Sequence, residues 1–125
     1  MEKTDDQGTP QISFSREPVR NFNEIVCQAI DDTLREVVGS KAEVVYMHLK
    51  YKFGIDRTEL PYRIDTVCSI LEFALGVKGA HVIERKVAKR VYDRILLPFH
   101  EEQGLTLRDF LKLAKETISR DSYYT

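Results

Sequence analysis

Side chains able to face a core recur at helical spacing from Phe22 onward: Phe22, Ile25, Val26, Ala29, Ile30, Thr33, Leu34, Val37 and Val38 fall on one stripe of a 3.6-residue repeat. Asn21 is placed to cap this first helix, with Glu24 at the third position, and Gly39 supplies a left-handed stop. Ser40 and Glu43 then stand at capping-box spacing, which predicts a second helix running to Gly54. Val45, Leu49 and Phe53 would point inward, while Val44, Tyr46 and Met47 widen the apolar girth; such a helix is expected at the centre, touched on more than one side. Residues 55 to 60 read as a polar connector, and Pro61 sits where a helix start tolerates it. A third stripe of Ile64, Val67, Cys68, Leu71, Ala74 and Leu75 ends at Gly76, and the turn GVKGA separates it from a fourth helix, Ala80 to Leu97, terminated by Pro98. After the loop PFHEEQG, Thr106 with Asp109 opens a fifth helix bearing Leu107, Phe110, Leu111, Ala114, Thr117 and Ile118.

No alternating run bounded by turn residues is present, so the expected class is all-α, a compact bundle of about five helices. Residues 19–120 are expected to form a single helical domain. A flexible tail is expected over residues 1–18, with only Ile12 and Phe14 able to anchor it, and a short tail over 121–125. The 125 residues suffice for a core without disulfide or metal staples. No run approaches about 18 consecutive apolar residues, and the acidic, polar N-terminus lacks the features of a signal peptide. A cytoplasmic protein without a membrane partner is the expectation. Cys27 and Cys68 are isolated, fall on apolar stripes and read as small core hydrophobes.

Charge changes this picture. The 19 basic and 20 acidic residues nearly cancel, which excludes a surface that is one electrostatic clamp, but the distribution is polarised. Residues 81–97 carry five basic and two acidic side chains, and the first 39 residues carry four and eight. On the fourth helix Ala80, Val87, Ala88, Val91, Tyr92 and Ile95 share one arc, with Arg85, Lys86, Lys89, Arg90 and Arg94 opposite and Lys78 beside its start. One reading is a phosphate-binding face. That face offers no Asn, Gln, Ser or Thr to base edges, however. The other reading is a solvated face that pairs with the acidic first helix of the same or another molecule; an anionic ligand or protein is a third.

Glu84 stands apart because it lies inside the apolar arc. A structural role is expected for it, accepting from backbone amides or pairing with an Arg or His across a helix contact. His81 and Glu84 form an H-x-x-E pair, but a metal site in a bundle draws on a second such pair, and none is present; His48 and His100 are likewise solitary. No nucleophile elbow, phosphate-binding loop, zinc-protease motif or dinucleotide fingerprint occurs. Neither enzymatic activity nor a cofactor or bound metal is expected.

The segments YMHLKYKFGI (46–55), TELP (58–61) and LEFALG followed by GAHVIERKVAKRVY (71–92) resemble the Nitrosopumilus output domain family, small helical modules of ammonia-oxidising archaea and their relatives. The resemblance runs from about Phe22 to Leu97 and implies an archaeal all-helical module at the output end of signalling chains, without an assigned reaction. It marks Tyr46, His48, Leu49, Gly54, Pro61, Gly79, Ala80 and Glu84, of which Gly54, Pro61, Gly79 and Glu84 read as structural. The turn from Gly76 to Gly79 departs from the family by one residue, and the fifth helix lies outside it.

Together these observations predict a non-enzymatic interaction or regulatory module that self-associates, with a small DNA-binding regulator as the alternative. A homodimer is expected through the fifth helix, where Leu107, Phe110, Leu111, Ala114 and Ile118, with Leu105 and Leu113, cover more than one face.

Overall fold

Pro18 opens the first helix of the computed structural model, which describes residues 18–101 and 104–124. Helix α1 spans Pro18–Val38. Proline is tolerated at a first helical position because its missing N–H has no intrahelical acceptor there. Asn21 therefore lies inside α1 and is not its cap. The expected N-terminal tail lies outside the described residues apart from Pro18.

Gly39, at φ 61°, turns the chain through a short 3-10 segment, Gly39–Lys41, into α2, Ala42–Phe53. The expected capping box does not form: the α2 N-terminus has no side-chain cap. The Glu43 carboxylate accepts instead from Arg35 Nη2 and Arg57 Nη2, each at 2.5 Å. Two charge-assisted bonds outweigh one bond to a neutral amide. Gly54, with φ 66°, closes α2 as expected.

The connector that follows is less polar than its composition suggests. Ile55 and Leu60 are buried, and Arg57–Arg63 is a 3-10 helix capped reciprocally by Asp56 and Glu59. Pro61 lies inside this segment, so the α-helix begins three residues later than expected.

Helix α3 runs Ile64–Arg94 with one non-helical residue, Gly76, at φ 81° and ψ 166°. The expected third and fourth helices are thus two arms of one element, because Val77 and Lys78 re-enter helical geometry at once. The count of about five helices is reduced accordingly, while the all-α class holds: no strand occurs among the described residues. The two arms fold back on each other, since the Cys68 thiol and the Glu84 carboxyl are close enough to shift one another's pKa. In a straight helix, 16 residues apart, they would stand about 24 Å from one another. At this corner a Cβ on Gly79 would lie 3.0 Å from Leu75 Cβ, so the arms approach closely where Gly79 has no side chain. The second arm ends at Arg94, before Pro98, with Leu96 at φ 62°.

Helix α4, Leu107–Tyr124, begins with the expected box: the Thr106 amide donates to Asp109 Oδ2 at 3.0 Å, and the Asp109 amide to Thr106 Oγ1 at 3.2 Å. Its helix continues to Tyr124, past the expected start of a tail at 121. α4 packs on α1 and α3. Tyr92 and Phe99 meet Phe110 with ring centroids 6.2 and 5.0 Å away, and Tyr92 Oη donates to the Phe110 carbonyl at 2.8 Å.

Two expectations fail on this packing. Leu107, Phe110, Leu111, Ala114 and Ile118 are all buried in the core of their own chain, so they form no self-association surface; only Leu113 of that set is exposed. The apolar excess of α4 is consumed because both α1 and α3 cover it. Helix α2 is also not central: Ala42, Val45, Tyr46 and Leu49 face inward, but Val44, Met47, Tyr51 and Phe53 are exposed. Ala74 and Leu75 are exposed as well, while Ile70 takes a core position. Cys27 and Cys68 are half-buried against the core.

The segment Arg57–Arg94 holds an 18-residue window of mean hydropathy 1.4, long and apolar enough by length and composition to cross a membrane. Counting uninterrupted apolar residues overlooked it because isolated charges break the run.

The backbone of Gly76 lies in a region essentially reserved for glycine. Gly76→Ala is expected to lower stability by about 1–3 kcal/mol in urea unfolding.

Candidate functional site

Five cations line the second arm of α3, and an acidic strip lines the antiparallel α1 beside it. Arg94 Nη2 lies 2.5 Å from Asp32 Oδ2, Arg90 Nη2 2.6 Å from Glu36 Oε1 and Lys86 Nζ 3.3 Å from Glu36 Oε2. Arg90 Nη1 also donates to Thr33 Oγ1 at 2.9 Å, satisfying a hydroxyl that is fully buried. Arg85 pairs with Glu101. Hydrogen bonds from Lys86 and Arg90 hold the Glu36 carboxyl below its ordinary range, and bonds from Arg94 and Gln28 do the same for Asp32. Of the expected binding face, Lys89 and the neighbouring Lys78 are exposed and make no ion pair among the described residues. The basic face is therefore largely an intramolecular seam. Each exposed pair contributes little alone, about 0–1 kcal/mol, but sharing Glu36 and reaching buried Thr33 couples them.

A second network joins α1, α2 and the 57–63 segment. Tyr46 Oη donates to Asp31 Oδ1 at 2.8 Å, Arg35 Nε pairs with the same carboxylate at 3.1 Å, and the Arg57 guanidinium stands 3.9 Å over the Tyr46 ring. Burial and then the Asp31 bond push the Tyr46 phenol well above its usual range. Burial opposes ionisation of Asp31 too, yet the bonds from Tyr46 and Arg35 outweigh it and its carboxyl is held low. Sequence reading noted the acidic side of α1 but missed this network. Its signal was a set of acids on α1 facing Arg35, Arg57 and a phenol whose contacts depend on where α2 folds back.

Glu84 is 8% exposed and joins three places. The Cys68 thiol on the first arm and the Leu107 amide at the start of α4 both act to hold its charge, with His81 nearby. The backbone amide that acts on this carboxylate belongs to another helix. Burial raises the Glu84 carboxyl more than these contacts lower it. Burial first, then the Glu84 charge, pushes the Cys68 thiol far above its ordinary value, so it stays protonated and is a poor nucleophile. A cavity of about 150 Å³ beside Glu84 is lined by His81, Leu107 and Phe110 among others. The Glu84 carboxyl already faces partners within the fold, and no group of three His, Cys, Asp or Glu able to hold a metal occurs among the described residues.

What remains open to a partner is apolar. Val44, Met47, His48 and Tyr51 recur at i, i+3, i+4 and i+7 on the outer side of α2 and line a shallow depression with Lys52. Tyr51 is 80% exposed and Val44 61%. Of the residues marked by the family resemblance, Tyr46 and Leu49 seat the inner side of this helix, and His48 lies on the outer side. No family model matches the chain, and neither a curated protein nor a solved structure matches it.

Arg90→Ala is expected to lower stability by about 1–2 kcal/mol, since it removes a charged hydrogen bond to buried Thr33. Lys89→Ala should stay within about 0.5 kcal/mol of the wild type in the same urea titrations.

For Glu84 the folded-state pKa is raised, so its contribution is fully present below the ordinary carboxylate range and is lost as pH rises through the folded value. Glu84→Gln removes the titrating group and is expected to flatten the stability profile above the ordinary carboxylate range. Glu84→Ala takes the acceptor away from the Leu107 amide and should cost about 1–3 kcal/mol throughout.

Proposed function

We propose that this chain is a non-enzymatic helical interaction module, a regulatory or output element that acts by docking another protein. The observation that carries the reading is the outer stripe of α2, where Val44, Met47 and Tyr51 face solvent on a helix whose inner side is fixed by the core. Monomeric soluble proteins rarely leave such contiguous apolar surface without a use. The placement implied by the family resemblance, at the output end of a signalling chain, is consistent with a module that presents a surface and no reactive group.

A DNA-binding regulator is the second reading, favoured by Lys78 and Lys89, exposed cations of that face that make no ion pair among the described residues. The intramolecular seam weighs against it, because Arg90, Arg94 and Lys86 would have to exchange Glu36 and Asp32 for phosphates. Reversing Arg90 would also weaken the fold through Glu36 and Thr33, so Lys78→Glu with Lys89→Glu is the informative variant.

Fluorescence anisotropy of a labelled duplex of about 20 base pairs, titrated at low and near-physiological salt, is expected to stay flat. Binding that weakens steeply with salt and disappears in the double lysine variant would replace the interaction module with the regulator.

A further inference from the structure

Residues 72–78 form an unbroken exposed run at the corner of α3. Corners of soluble helical hairpins are ordinarily polar; this one carries Phe73, Ala74, Leu75 and Val77. Phe73 is 85% exposed and Val77 58%, and Val82 is exposed on the second arm. The 18-residue window of highest hydropathy lies in the segment that includes this corner, and only 28% of that window is buried. The corner is preformed: the Cys68 thiol and the Glu84 carboxyl meet across the arms, and the missing side chain of Gly79 lets Leu75 sit against the second arm. A rigid apolar projection loses little conformational freedom on binding.

We infer that this corner is a self-association surface, on which a second copy of the chain docks corner to corner about a twofold axis. The inference rests on the interaction-module reading and adds to it a partner and a surface other than the α2 stripe. Charge decides the occupant. Glu72 precedes the apolar run on the first arm and Lys78 follows Gly76 on the second, each exposed and without an ion pair among the described residues. A patch with one charge of each sign on opposite arms complements itself: a twofold axis sets Glu72 of each copy against Lys78 of the partner copy, with the Phe73 and Val77 ridges between them. The same balance gives an anionic lipid surface no net attraction, and it would carry the Glu72 carboxylate into the headgroups beside Phe73.

Sedimentation equilibrium of the full chain from low to high micromolar concentration tests this. The wild type is expected to form a reversible dimer, and Phe73→Asp to weaken it at least about tenfold. At low micromolar concentration, where both proteins are monomeric, the melting temperature should not change, because Phe73 is exposed. Glu72→Lys and Lys78→Glu should each weaken the dimer, and the double reversal should restore it. A wild type that is strictly monomeric at high micromolar concentration overturns the inference, as does a dimer that survives Phe73→Asp. A surviving dimer abolished by Met47→Asp would put self-association on α2, leaving the interaction-module reading standing while this surface fails. Flotation of the wild type, but not of Phe73→Asp, with phosphatidylglycerol vesicles would give the corner to a bilayer and also overturn it.

Discussion

The reversal of α3 at Gly76 is the constraint on which the remaining packing depends. A helix of 31 residues would be far too long to share a core with its neighbours if it ran straight. The bend returns the second arm alongside the first, and Glu84 stands between Cys68 on one side and the first amide of α4 on the other. A single buried carboxylate thus lies where the two arms of the hairpin and the start of the last helix meet. The cost is the desolvation of an acid, visible as a raised carboxyl pKa, and it is offset by amide and thiol donors that would otherwise lie unpaired in the same place.

With the second arm in place, electrostatics organise the flank. The acids of α1 and the bases of α3 face one another in opposite chain directions, so Asp32 meets Arg94 and Glu36 meets Arg90 and Lys86. The polarity that suggests a nucleic-acid face in isolation is answered within the molecule. The same α1 presents Asp31 to Tyr46, and Arg57 and Arg35 meet at Glu43, so one helix serves as the charged spine for two neighbours. Internal neutralisation leaves the basic face of α3 largely paired, while exposed apolar side chains lie on the outside of α2 and at the corner of α3.

Much of this was legible in the residues themselves. The helical periodicity, the glycine stops at Gly39 and Gly54 and the Thr106–Asp109 box are local properties, set by spacing and by backbone groups within a few residues. The capping box at Ser40 failed because its acid had a better offer from guanidiniums 8 and 14 residues away. Ile55 and Leu60 looked like connector residues because their burial depends on α1 lying over them.

The sequence by itself determined an all-helical chain, its amphipathic stripes and the opposite polarities of its first and fourth predicted helices, because each follows from short-range periodicity and composition. Tertiary structure alone decided which apolar faces are covered. The α4 face expected to seek a second copy is buried between α1 and α3, while α2, expected to be central, lies open along one side. A hydrophobic stripe records that a surface avoids water; which neighbour covers it depends on how the chain turns, and here that turn is made at one glycine, with one buried carboxylate between its arms.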